Sequence, residues 1–197
     1  MSSHSKKFAL TSIMLALASQ HTLASGLDAH EHGSANLDIA IDGNIIEMSF
    51  ESPAVNIVGF EYVTKDADQL LLIQNAEANL SNFDAMFVLE GAGSCEVVRS
   101  MAKWVTEQDE HDHEAEHGHE AEHGHEAEHG HEEERAAQHT EFVGEYKLEC
   151  GKLNELTRIT VNLFEYFEAI EELDVQLIHS GGQSMQELNA ENTQIRL

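Results

Sequence analysis

The sequence predicts an α+β fold: a single antiparallel-sheet-dominated domain with one main helix, interrupted by a long disordered histidine-rich insertion. Three observations predict it. Several runs alternate apolar and polar residues at the period of a half-buried strand, and one run recurs at helical spacing. Between about residues 107 and 139 the composition collapses to little besides His, Glu, Asp, Ala and Gly.

The elements follow in chain order. Lys6 and Lys7 precede an apolar run, Phe8 to Ser19, too short to span a bilayer and suited to the h-region of an export signal. Residues 1–24 read as that signal peptide, with cleavage after Ala24. Leu37, Ile39 and Ile41 alternate with Asp38, Ala40 and Asp42. Asp42-Gly43-Asn44 then supplies turn chemistry, and Ile46, Met48 and Phe50 alternate with Glu47, Ser49 and Glu51. The lone proline, Pro53, ends this hairpin. Lys65 to Leu80 has helical spacing, with Thr64 or Asp66 available as N-cap. Strands are expected at Ala85–Leu89 and Cys95–Val105, around Gly91-Ala92-Gly93.

Beyond the insertion, Phe142, Gly144, Tyr146, Leu148 and Cys150 share one parity, as in a half-buried strand. Ile159, Val161 and Leu163 suggest another strand, and Phe164 to Glu172 a short helix or turn. Val175, Leu177 and His179 alternate again before Gly181-Gly182, and a last strand is expected near Thr193–Leu197. Residues 25–106 and 140–197 read as two pieces of one domain, because neither has apolar residues enough for its own core. Residues 107–139 form the loop between them. Trp104, Phe142 and Tyr146 read as core or loop-base packing.

Charge narrows the function. The chain carries 37 acidic against 10 basic residues, a formal −27, and removing the leader takes away two lysines and no acid. Such a chain repels nucleic acid and anionic membrane surfaces and attracts cations. Beyond the leader no stretch is apolar enough to insert in a membrane. Cys95 and Cys150, in an exported chain, read as one disulfide. Its loop of roughly 55 residues corresponds to about 4 kcal/mol by chain entropy. Thiolate metal ligation is the weaker alternative, since neither cysteine has a C-x-x-C partner or an adjacent histidine. The bond is expected to clamp the base of the insertion.

The insertion is a repeat of period six: His111-Asp-His-Glu-Ala-Glu116, His117-Gly-His-Glu-Ala-Glu122, His123-Gly-His-Glu-Ala-Glu128 and His129-Gly-His-Glu-Glu-Glu134. Each unit begins His-x-His, pairing His111 with His113, His117 with His119, His123 with His125 and His129 with His131. In an extended backbone residues two apart point the same way, so each pair can reach one ion; on a helix they would diverge. Zinc takes about four ligands tetrahedrally, commonly imidazole with carboxylate or water. Two units therefore make one site, and four units roughly two sites. Like units give many pairings of similar energy, and each doubling of loop length adds only about 0.6 kcal/mol. Binding should be multiple and exchangeable, which suits capture and hand-off. The acidic spacers concentrate cations and also favour imidazole protonation, so protons compete with metal. Nickel and copper also suit imidazole clusters. A solvated acidic linker is the bland alternative, hard to reconcile with four regular pairs.

Weaker candidates are His30 and His32, which repeat the His-x-His logic near the mature N-terminus, and His139, which could serve as the folded domain's partner for either cluster. A solvated terminus and an ordinary strand-end histidine are the competing readings. His179 reads as a strand or turn histidine. No Gly-x-Ser-x-Gly, His-Glu-x-x-His or phosphate-binding glycine loop is present, so the sequence offers no enzyme.

Taken together, His30-Glu-His-Gly33, Phe50-Glu-Ser-Pro-Ala54, the acidic histidine tract, Phe142-x-x-x-Tyr146-x-x-x-Cys150 and Asp174-Val-Gln176 followed by Gly182-Gln183 resemble the zinc-regulated periplasmic proteins of the ZrgA type. The resemblance covers essentially the whole mature chain. It implies a periplasmic zinc-binding protein, made under zinc limitation, that helps a zinc ABC importer. The tract histidines His111 to His131 would be the ligands; His30, His32 and His139 are not settled by it. The partners to expect are zinc ions and the importer's solute-binding protein, with no nucleic acid, no membrane insertion and a monomeric chain. The competing classes are a nickel or copper binding or storage protein, the importer's own solute-binding protein, and a structural or adhesion module. The second needs two lobes, roughly twice this chain.

Overall fold

The computed structural model describes residues 32–91, 93–106 and 139–197. The leader, His30, the tract histidines and the expected disorder of the insertion lie outside the described residues.

In chain order the elements are β1 (Ser34–Asp42), β2 (Ile45–Pro53), α1 (Ala54–Val58), α2 (Ala67–Leu80), α3 (Phe83–Met86), β3 (Phe87–Gly91), β4 (Cys95–Thr106), β5 (Thr140–Cys150), β6 (Leu156–Val161), α4 (Leu163–Tyr166), β7 (Glu172–His179), β8 (Gly182–Leu188) and β9 (Gln194–Arg196). This corrects the expected α+β class with one main helix. Of the described residues 54% are strand and 23% helical, in two sheets with four small helices, so the fold is mostly β. The reason is physical: α1, α3 and α4 are one turn or little more, too short for a 3.6-residue period to register. Ala85 and Met86, expected in a strand, belong to α3, and β3 starts at Phe87.

A six-stranded sheet runs β4-β5-β2-β1-β7-β8, and a three-stranded sheet runs β3-β6-β9. The β1–β2 hairpin turns at Gly43, whose φ of +60° suits glycine. All pairings are antiparallel except β1 with β7, which is parallel. β8 gave no alternating signal because of its seven residues only Leu188 is buried.

Alternation assigns the large sheet's faces. Leu37, Ile39, Met48, Phe50, Phe142, Leu148, Val175 and Leu177 are buried on the inner face. Residues from both sheets and from all four helices join in one core. Tyr146 sits at its centre: its ring meets Phe87 of the small sheet edge-on at 5.2 Å and Phe83 of α3 at 5.8 Å. Aromatic pairs of this kind contribute about 0.5–1.5 kcal/mol beyond area burial. Its hydroxyl donates to Leu80 O at 2.9 Å, and burial pushes the phenol's pKa up. Gly144 leaves the space this hydroxyl needs, since a Cβ there would lie 2.7 Å from it.

The edge strand β4 is covered by α2. Glu77 accepts from Trp104 N at 2.9 Å, and Ser81 Oγ accepts from Ala102 N at 2.9 Å. α2 starts where Asp66 caps it, accepting from Asp68 N and Gln69 N at 3.0 Å each.

Cys95 and Cys150 form a disulfide between directly opposed positions of β4 and β5. It does not clamp the base of the insertion, which leaves from Thr106 and returns at Thr140, the other end of the pair. β4 has 12 residues. At about 3.3 Å per residue the two ends lie roughly 36 Å apart.

Candidate metal centre

Three chain segments meet at the end of the large sheet where the insertion departs. The first is the entry to β1. Gly33 has φ +89°, a left-handed conformation that suits glycine, and its N–H donates to Asn56 Oδ1 at 2.8 Å. Asn56, buried in α1, donates from Nδ2 to Ser34 O at 2.8 Å and to Ser52 Oγ at 3.3 Å. Gly33 O accepts from Glu171 N and Glu172 N just before and at the start of β7. The backbone beside His32 is therefore held on both sides.

The second segment follows α1. Gly59 closes that helix in the left-handed conformation, with its N–H donating to Val55 O at 3.0 Å. The chain then runs through Glu61 toward α2, where Gln69 donates to Tyr62 Oη at 2.7 Å and pairs with the Thr64 hydroxyl. The third segment is the start of β5: Thr140 N donates to Glu61 O at 3.1 Å. His139 is thereby placed against Glu61.

The result is one carboxylate between two imidazoles. His32 Nε2 lies 3.4 Å from Glu61 Oε2, and His139 Nδ1 lies 3.3 Å from Glu61 Oε1. The glutamate side chain is 27% exposed, against 65% for His32 and 47% for His139. Two buried polar atoms at the same end, Trp104 Nε1 and Thr140 Oγ1, find no hydrogen-bond partner among the described residues. Glu171 and Glu172 line a small crevice with His32, so the rim is acidic and favours cations.

Sequence reasoning named His32, and His139 as a folded-domain partner for either histidine cluster, and missed Glu61. No local signal marks it, because it lies in no repeat and its partners are 29 residues before and 78 after it. His30 and the tract residues His111, His113, His117, His119, His123, His125, His129 and His131 lie outside the described residues. His179 is elsewhere, at the end of β7, where its Nδ1 accepts from Gly181 N at 3.1 Å. Cys95 and Cys150 are bonded to each other and offer no thiolate.

Two other places gather charged side chains. Glu172, Asp174 and Glu187 bring three oxygens within 4.8 Å of one another, an exposed, all-carboxylate cluster. A groove of about 480 Å³ crosses the outer face of the large sheet. Four of its lining charges pair among themselves, Arg99 with Glu145 at 2.7 Å and Lys147 with Glu47 at 2.8 Å.

The comparison with known families decides the class. The family of ZrgA zinc uptake proteins matches residues 29–197. This chain belongs to the ZrgA family. No curated protein matches the chain. The ZrgA match takes in His30 and His32, Glu61, the whole insertion, His139 and every strand described above. The family's description is zinc uptake, and imidazole with carboxylate is a donor set that zinc accepts. Among the described residues no helix is long and apolar enough to cross a membrane.

Proposed function

We propose that this chain is an exported, periplasmic zinc-binding accessory protein that captures and buffers zinc and supports a zinc ABC importer when zinc is scarce. The observation that carries the reading is the regular array of four His-x-His units in a member of a zinc uptake family. The units His111/His113, His117/His119, His123/His125 and His129/His131 are the capture ligands. Because they are alike, an ion can pass from one pairing to the next without a large barrier, and the acidic spacers raise its local concentration. The Lys6-Lys7 and Phe8–Ser19 leader supports export. The partner in this reading is the importer's solute-binding protein, to which the monomeric chain yields its zinc.

Zinc equilibrium dialysis at pH 7 tests the proposal, on the intact chain beside one with the eight tract histidines replaced by asparagine. The intact chain is expected to bind several ions, and the replaced chain to lose the tract's share, roughly two. Equal stoichiometry in the two chains would overturn the reading. Nickel and copper compete for imidazole, copper the more strongly. Whether scarcity of zinc or excess of another metal induces the protein separates uptake from nickel or copper storage.

A further inference from the structure

We propose that the outer edge of β8 is a docking site for an extended, basic segment of a partner protein, which adds to the large sheet as one further strand. The inference depends neither on zinc nor on the insertion. It starts from a contrast between the two edges of the sheet, β4 and β8. At the β4 edge, side chains of Glu77 and Ser81 take up the N–H groups of Trp104 and Ala102. β8 lacks what usually blunts an edge: it has no lysine, no proline and an unbroken register with β7.

The pairing shows which backbone groups face outward. Glu172 N donates to Gly33 O, on the β1 side of β7. The odd-numbered residues of β7 therefore face β8, and their register partners are the even-numbered residues of β8. Gln183, Met185 and Glu187 are left facing outward. The position of Glu187 O, which Asn192 Nδ2 approaches to 3.5 Å, agrees. Among the described residues no hydrogen bond from beyond the β7–β8 ladder reaches the backbone of Gln183 or Met185. Each offers an added strand one donor and one acceptor. Met185 lies directly opposite Gln176, on the outer face of the sheet. It is 78% exposed, and Ile178 on the same face is 47% exposed. Its thioether adapts to varied apolar contacts.

Charge selects the occupant. Asp174 and Glu187 stand directly opposite each other across β7 and β8, and like charges so placed destabilise a sheet. Neither has an ion pair among the described residues. Glu172 brings a third carboxylate, with all three within 4.8 Å of one another. A lysine or arginine opposite Glu187 on an added strand relieves that repulsion. On an antiparallel strand the residue two positions further on then falls opposite Met185, so the segment reads basic-x-apolar. A second copy of β8 is a poorer occupant. Its seven residues include no basic one, and each chain carries a formal −27.

Residue-resolved NMR of the full chain, without zinc, tests this with the synthetic peptide Thr-Lys-Thr-Val-Thr-Thr, blocked at both ends. The readout is taken at β8, because the acids of the insertion also attract a cationic peptide. Saturable shifts and slowed amide exchange are expected at Gln183 and Met185. Replacing the peptide's lysine by glutamate should weaken binding by about two- to fivefold, and Glu187→Lys should reverse the order of the two peptides. Met185→Pro removes an outward N–H without touching the β7 ladder and should weaken binding by at least about tenfold. Circular dichroism checks its fold, and if it does not fold, the reversal by Glu187→Lys decides. The absence of saturable shifts at Gln183 and Met185, or equal affinity for the two peptides, overturns the proposal. So does concentration-dependent dimerisation that shifts the same amides, which would make a second copy the occupant.

Discussion

The two ends of the β4–β5 pair are built on opposite plans. At one end Cys95 faces Cys150 across a covalent bond, and the flanking backbone is hydrogen-bonded: Cys150 N to Asn44 O, Gly151 N to Ser94 O and Lys152 N to Gly93 O. At the other end Thr106 and Thr140 flank the insertion, next to an imidazole–carboxylate–imidazole cluster and two buried polar atoms with no hydrogen-bond partner among the described residues. Rigidity is placed a full strand away from the candidate metal centre. The arrangement also frees the insertion from stability constraints. A bond closing 55 positions limits the unfolded chain whatever the enclosed sequence, and doubling a loop changes its closure cost by only about 0.6 kcal/mol.

The largest effect expected from breaking this comparison is at the covalent end. Replacing both Cys95 and Cys150 by alanine should destabilise the fold by about 3–4 kcal/mol, read from urea unfolding. Zinc stoichiometry under native conditions should stay unchanged. A loss of zinc from a chain that remains folded would show that the two ends are coupled.

A smaller effect on stability, but one on zinc as well, is expected at Asn56. Asn56→Ala leaves the Gly33 N–H and Ser34 carbonyl without their side-chain partner and should cost about 2–3 kcal/mol. It also loosens the backbone beside His32. Faster amide exchange at Gly33 and weaker zinc binding at the candidate metal centre should appear together. Faster exchange with zinc retention unchanged would separate the clamp from the site.

How much of this was legible in the sequence depends on the range of the interaction. The β1–β2 hairpin, the alternation of β5 and the Asp66 cap of α2 are written in neighbouring residues, and each appears where the pattern places it. The disulfide pairing followed from there being only two cysteines, yet its distance from the insertion did not, because that depends on strand register. The parallel pairing of β1 with β7 joins residues far apart in the chain and leaves no local mark. Glu61 is the same kind of omission. One acid among 37 has no distinguishing context until Asn56, Gly33 and Thr140 bring two histidines to it. Periodicity reads faces and caps, whereas a site assembled from three segments becomes visible only once the register is known.

The smallest effect expected lies at Thr140, and it sharpens the description of the open end. Its side chain is 3% exposed, and its hydroxyl has no hydrogen-bond partner among the described residues. A buried hydroxyl without a partner costs about 1–3 kcal/mol, so Thr140→Val, which replaces it with a methyl group of similar size, should raise stability by up to about 1 kcal/mol. The backbone bond from Thr140 N to Glu61 O is untouched by the change, so zinc retention should not move. Urea midpoints with and without zinc measure both. Destabilisation in both conditions would mean that the insertion supplies the hydroxyl's partner at rest. Destabilisation confined to the zinc-loaded chain would mean that the partner arrives with the ion.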